Sequence, residues 1–175
     1  MGEALDAMEQ TETLHLAQRM ITEVSGGEGQ RVIIARALAQ KSEILLLDEA
    51  TSSLDVAKKI QVFDLLKDKN REGTTVLCAM HDLNLAALYC RRLIFLKHGT
   101  IVLDGPTEET FRERELSEIY DADIRISAHP VTGSPQAHFV PGRADRCGAP
   151  GHFAGYGDMG DRGGRVQGLV RSDRR

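Results

Sequence analysis

Ile44-Leu45-Leu46-Leu47 is an unbroken aliphatic run that stops at two adjacent acids, Asp48 and Glu49. Such a run has neither the length of a helix nor the alternation of a half-buried strand. It predicts a strand covered on both faces inside a parallel sheet. Residues 56–70 follow with Ile60, Val62, Phe63, Leu65 and Leu66 at helical spacing, Gly73 marks the stop, and Thr74 to Met80 reads as a second strand. Strand, helix, strand is a parallel crossover, and the fold class is α/β.

The flanking segments extend this pattern. Residues 1–22 carry Leu5, Met8, Leu14, Leu16, Met20 and Ile21 at near-helical spacing without proline, which predicts helix. Ser25-Gly26-Gly27 breaks the chain before a second helical stretch, Glu28 to Gln40. Beyond His81, Leu83 to Cys90 reads as a helix, Leu93–Leu96 and Ile101–Leu103 as a hairpin turned at His98-Gly99, and Thr107 to Tyr120 as a final charged helix. Residues 143–175 hold seven Arg, eight Gly and no Lys, with scattered apolar residues, and predict a disordered tail or an out-of-frame reading of GC-rich DNA.

A net charge of -4 gives no general reason to expect nucleic acid or an anionic membrane surface as partner. Cys78, Cys90 and Cys147 lack the spacing of a zinc or redox pair and fit reduced, cytosolic thiols. No apolar run reaches the roughly 18 to 20 residues that cross a bilayer. His129 and His138 fit no common metal-ligand spacing.

Three motifs carry chemistry. Ser25-Gly26-Gly27-Glu28-Gly29-Gln30 is a capping box, Ser before the helix and Glu three residues on. It is equally a place where glycines admit a ligand and a helix N-terminus offers free N–H groups to phosphate. Asp48 and Glu49 end a buried strand, where parallel sheets bind ligands. Nucleotide hydrolysis needs one carboxylate for Mg2+ and one to orient or deprotonate water, roles that suit Asp48 and Glu49 in that order; the alternative is a solvated strand end. Ala50-Thr51-Ser52-Ser53-Leu54-Asp55 is a turn that caps the next helix, and His81 closes a parallel neighbouring strand. A lone His is ordinarily structural, but here the two strand ends align on one edge of the sheet.

SGGEGQR, ILLLDEA, SSLD and a strand-terminal His81, in that order, resemble the ATP-binding-cassette ATPase family over roughly residues 1–125. The resemblance implies a partial P-loop NTPase (RecA-like) core with the end of an α-helical subdomain at residues 1–24, the core at 25–125, a short extension at 126–142 and the tail at 143–175. It implies that Ser25, Gly26, Gly27, Glu28 and Gln30 form a signature loop and that Asp48 holds Mg2+. It further implies that Glu49 is the catalytic base, Asp55 a nucleotide-site aspartate and His81 the switch histidine. Ala50 stands where many members have proline. The implied cofactors are ATP and Mg2+. The implied partners are a second ATPase subunit in a head-to-tail dimer and transmembrane permease subunits, without nucleic acid, at the inner face of the cell membrane.

MHDLNLAALYC and HGTIVLDGPTEE are similar to importer ATPases for iron chelates, haem or cobalamin, and the segments around His129–Gly133 and Phe139–Gly142 to an extension on some of them. The alternatives are a non-catalytic module that completes or modulates a partner ATPase, and a DNA-repair ATPase head, which long heptad segments would flank. The chain has no GxxxxGK[ST] motif and no Gly-Lys dipeptide. It therefore reads as the C-terminal part of a cassette, with little hydrolysis alone. Loss of a P-loop strand predicts exposure of Ile44–Leu47 and Val76–Met80 along a sheet edge, and poor solubility.

Overall fold

The computed structural model describes residues 2–141 and 167–171. Seven strands, six α-helices and two short 3-10 helices among them form a mixed five-stranded sheet, helices packed on it, and a separate hairpin. β1 (Ile44–Asp48) pairs in parallel with β2 (Thr75–Met80), joined through α3 (Val56–Arg71) as the crossover pattern requires. β3 (Arg92–Lys97) and β4 (Thr100–Pro106) form the hairpin foreseen at His98-Gly99, where both residues have positive φ (52° and 76°) as a tight two-residue turn demands.

Three expectations fail, each for a local reason. Helix α1 stops at Gln10 rather than running to residue 22, because the Thr11 hydroxyl donates to the Ala7 and Met8 carbonyls and that of Thr13 to Met8. Arg31 of α2 (Gly26–Leu38) also donates to the Thr11 and Glu12 carbonyls, each at 3.2 Å. The charged helix over 107–120 is two helices, α5 (Thr107–Thr110) and α6 (Glu113–Tyr120). Phe111 and Leu116 are both buried, and five residues on one helix would set them about 140° apart. The break lets both face inward.

β1 is covered on one face only. Leu45 and Leu47 are buried, whereas Ile44 is 60% and Leu46 68% exposed, since nothing among the described residues packs on that side. Gln167–Arg171 forms a strand, β7, inserted between β2 and β3. The foreseen open edge at Val76–Met80 is therefore paired; β1 remains an edge among the described strands. Residues 142–166 and 172–175, with Cys147, lie outside the described residues.

The core gathers Phe63 and Leu66 of α3, Val76, Cys78 and Met80 of β2, and Leu93 and Phe95 of β3. It continues through Leu83 of α4 (Leu83–Tyr89) to Leu116 of α6. Burial there pushes the Cys78 thiol up to about 12, an unreactive structural thiol. β5 (Ile124–Ala128) and β6 (Pro135–Phe139) form the second sheet, which rests on α4. No described helix is long and apolar enough to cross a membrane.

Candidate active site

The parallel register brings the two strand-end motifs together. Asp48 stands opposite Ala79, so Glu49 and His81 leave adjacent strands at the same edge. The Glu49 N–H extends the ladder to the Ala79 carbonyl at 3.0 Å, and the His81 Nε2–H donates to Glu49 Oε1 at 2.7 Å. Glu49 takes a left-handed backbone, φ 45°, which is strained for a residue with a Cβ and common where a site fixes a side chain. Asp82 caps α4 through the Asn84 and Leu85 N–H groups at 3.1 and 3.0 Å, holding His81 just outside the helix start.

The pair opens into a cleft of about 490 Å3 lined also by Thr51, Ser52, Lys59, Asn84 and Phe139. Glu49 is about one-third exposed and His81 about half, so water reaches both. One Glu49 oxygen is held by the imidazole, which leaves the second to take a proton from water.

Asp48 is exposed at the end of β1. No cluster of three metal-ligating side chains exists among the described residues. This donor set fits Mg2+ held by one carboxylate, water and a nucleotide's phosphates, the usual mode for that ion.

Ser25 and Glu28 form the foreseen capping box: the Glu28 N–H donates to Ser25 Oγ at 3.3 Å, while Ser25 N–H and Oγ–H donate to Glu28 Oε2 at 2.9 and 2.8 Å. Those hydrogen bonds, the backbone one first, hold the Glu28 carboxyl below the usual range. Gly27 lies so near the 51–54 turn that a Cβ there would sit 3.5 Å from the Ser53 carbonyl oxygen. Asp55 caps α3 by accepting from the Lys58 N–H at 2.9 Å. The turn thus touches the Ser25 loop on one side and lends Thr51 and Ser52 to the cleft on the other. Ser25–Gln30, Asp48 and Asp55 do not line that cleft.

Sequence reasoning missed Asn84 and Phe139. The Asn84 side chain donates to the Ala137 carbonyl (3.2 Å) and accepts its N–H (2.7 Å), which pins β6 to α4 and brings Phe139 to the cleft. Neither residue carries a local signal; only the fold joins them. His138 Nε2 is 2.7 Å from the Ser127 hydroxyl and His129 Nδ1 accepts from the Val131 and Thr132 N–H groups.

The family profile described as ABC transporter matches residues 2–52, through the Ser25 loop and the Asp48-Glu49 strand end. The hemin import ATP-binding protein HmuV of Streptomyces coelicolor is 42% identical over 129 residues, 74% of this chain and 46% of that protein. The chain belongs to the ABC transporter ATPase family. Another relative, the iron(3+)-hydroxamate import ATP-binding protein FhuC of Bacillus subtilis, is 42% identical over 130 residues, 74% of this chain and 48% of its own length. Among solved structures, an inward-facing ABC transporter of metal-chelate type superposes with a TM-score of 0.70 at 29% identity, over 79% of this chain and 55% of that chain. A dimeric bacterial ABC cassette gives a TM-score of 0.58 at 36% identity, over 61% of this chain and 46% of its own. The fold is therefore that of the ABC ATPase core, and the chain spans about half the length of the curated relatives it matches.

Proposed function

We infer that the chain acts as an ATP-binding and hydrolysing subunit of an ABC importer for an iron chelate, haem or cobalamin. The observation that supports this most is the Glu49–His81 hydrogen bond of 2.7 Å across two parallel strand ends, the geometry of an oriented general base. The names of the relatives supply the importer class.

Asp48 would hold Mg2+ on the phosphates, Glu49 would take the proton of the attacking water, and His81 would orient Glu49 and contact the departing phosphate. Bound ATP and Mg2+ supply the phosphoryl group and its charge neutralisation. The 175 residues hold no phosphate-binding loop, so Glu49 has no nucleotide cradle among them. The Ser25–Gln30 helix start, with Asp55 behind it, faces a partner's nucleotide in a head-to-tail dimer. Permease subunits anchor that dimer at the inner face of the membrane.

The test mixes the purified chain with an intact importer cassette whose own signature serine is replaced by Arg, and measures ATP turnover. The chain alone stays at background and the mixture regains turnover, which Ser25→Arg in this chain abolishes. Turnover by the chain alone that disappears in Glu49→Gln overturns the partner-dependent mechanism; no rescue in the mixture overturns the role of Ser25. A change in turnover of an unmodified cassette, independent of Ser25, is the signature of the non-catalytic module.

A further inference from the structure

The second half of α3 and the end of α4 enclose another cavity, of about 110 Å3, against β2. Its floor is apolar: Phe63 and Leu66 of α3 and Val76 and Cys78 of β2 are only 3 to 7% exposed. The Tyr89 ring extends this wall by stacking on Phe63, with centroids 5.2 Å apart. Its hydroxyl donates to Asp64 at 2.9 Å, so the phenol oxygen is already engaged. Cys90 completes the lining. Burial raises both the Cys78 and the Cys90 thiol, so each presents neutral sulfur, a favourable neighbour for the edge of an aromatic ring.

The rim has the opposite character. Every charged residue that lines the cavity is a cation, Lys67, Arg71 and Arg91, in a chain whose net charge is -4. All three are exposed. Arg71 is held by Asp68 at 2.8 Å, and Lys67 lies over the Tyr89 ring, 5.8 Å from its centroid. Neither Lys67 nor Arg91 is ion-paired with a carboxylate among the described residues. An apolar floor lined by rings and sulfur, under a rim of cations, is complementary to a small ring that carries one negative charge. The volume sets the size: a dry cavity of about 150 Å3 holds benzene, so a slightly smaller one that opens at a charged rim takes a single ring with its anionic group outside the apolar part. A nucleotide is too large for it.

We propose that this cavity binds a small aromatic monocarboxylate, its ring on Leu66, Val76 and Cys78 and its carboxylate at Lys67 and Arg91. The site stands independently of the ATPase reading, since it uses neither the Glu49–His81 pair nor the Ser25 loop. Phe63 is nevertheless common to this cavity and to the Glu49–His81 cleft. An occupant that fixes the Phe63 ring is therefore felt at the cleft.

Benzoate titrated into the full chain, followed by NMR of backbone amides and side-chain methyls, tests the assignment. Saturable binding at roughly millimolar concentration is expected, with shifts at Leu66, Val76 and Cys78 and a smaller one at the His81 ring. Shifts that never saturate, or that spare Leu66 and Val76, overturn the cavity as the site. An unmoved His81 beside a shifted Val76 overturns the link to the cleft.

Benzamide keeps the ring and discards the charge. It binds at least about tenfold more weakly than benzoate, and Lys67→Gln/Arg91→Gln removes the difference between the two, because the charge-assisted hydrogen bonds are gone. Both substituted positions are exposed, so the double variant keeps its fold, read as a nearly unchanged thermal midpoint. Equal affinity for benzoate and benzamide in the unsubstituted chain overturns the carboxylate, and a preference for benzoate that survives in the double variant overturns its assignment to Lys67 and Arg91.

Discussion

Glu49 carries two opposed terms at one residue. Its left-handed backbone costs about 1 kcal/mol for a residue with a Cβ, while its partly exposed hydrogen bond to His81 returns between 0 and about 1 kcal/mol. Strain relief outweighs the lost contact, so Glu49→Gly stabilises the chain by roughly 0.5 kcal/mol and Glu49→Val destabilises it by more than about 1 kcal/mol. Urea unfolding midpoints of the two variants check the signs. At the other motif, the lowered Glu28 carboxyl implies stability that is present above its ordinary value of 4.5 and lost as pH falls through the folded value. Glu28→Gln flattens the decline in unfolding midpoint between about pH 5 and pH 3 without abolishing it, since Lys41 and Lys58 likewise lower Glu3 and Glu12. Both motifs were visible in the sequence as residue types at fixed spacing. The strain at Glu49 was not, because φ is set by the turn that the chain must make after β1.

Between elements, the Asn84 amide is the joint that holds the β5–β6 hairpin to α4. Ala137 is 4% exposed, so Asn84→Ala leaves a buried N–H and C=O without partners and destabilises the chain by about 2 to 3 kcal/mol. Amide exchange in β6 then rises before that in β2 does; equal acceleration throughout would mean that the joint is not local. This joint explains what the sequence could and could not convey about elements. The crossover, the Ser25 cap and the His98-Gly99 turn are local patterns and were legible. The end of α1 at Gln10, the break at Phe111 and the seating of β6 depend on contacts between distant segments, which periodicity does not encode.

Across the whole molecule, the Ile44–Leu47 run is the feature whose meaning changed most. Its composition belongs to a strand covered on both sides, but here Leu45 and Leu47 face the core while Ile44 and Leu46 are exposed beside a strand edge that is unpaired among the described residues. The two faces must then respond oppositely to substitution. Leu47→Ala removes packed methyl groups and costs about 2 to 5 kcal/mol, whereas Leu46→Lys disturbs no packed neighbour and shifts stability by less than about 0.5 kcal/mol. Because an exposed aliphatic edge drives association, Leu46→Lys also raises the concentration at which light scattering detects aggregates. A cooperative loss of structure in Leu46→Lys, read by circular dichroism, would instead mean that the outer face of β1 is packed in solution. The magnitudes keep the two cases apart: a lysine placed in a covered face forfeits the packing of a buried leucine and takes on the desolvation of a charge, several kcal/mol together, against a few tenths on an open one.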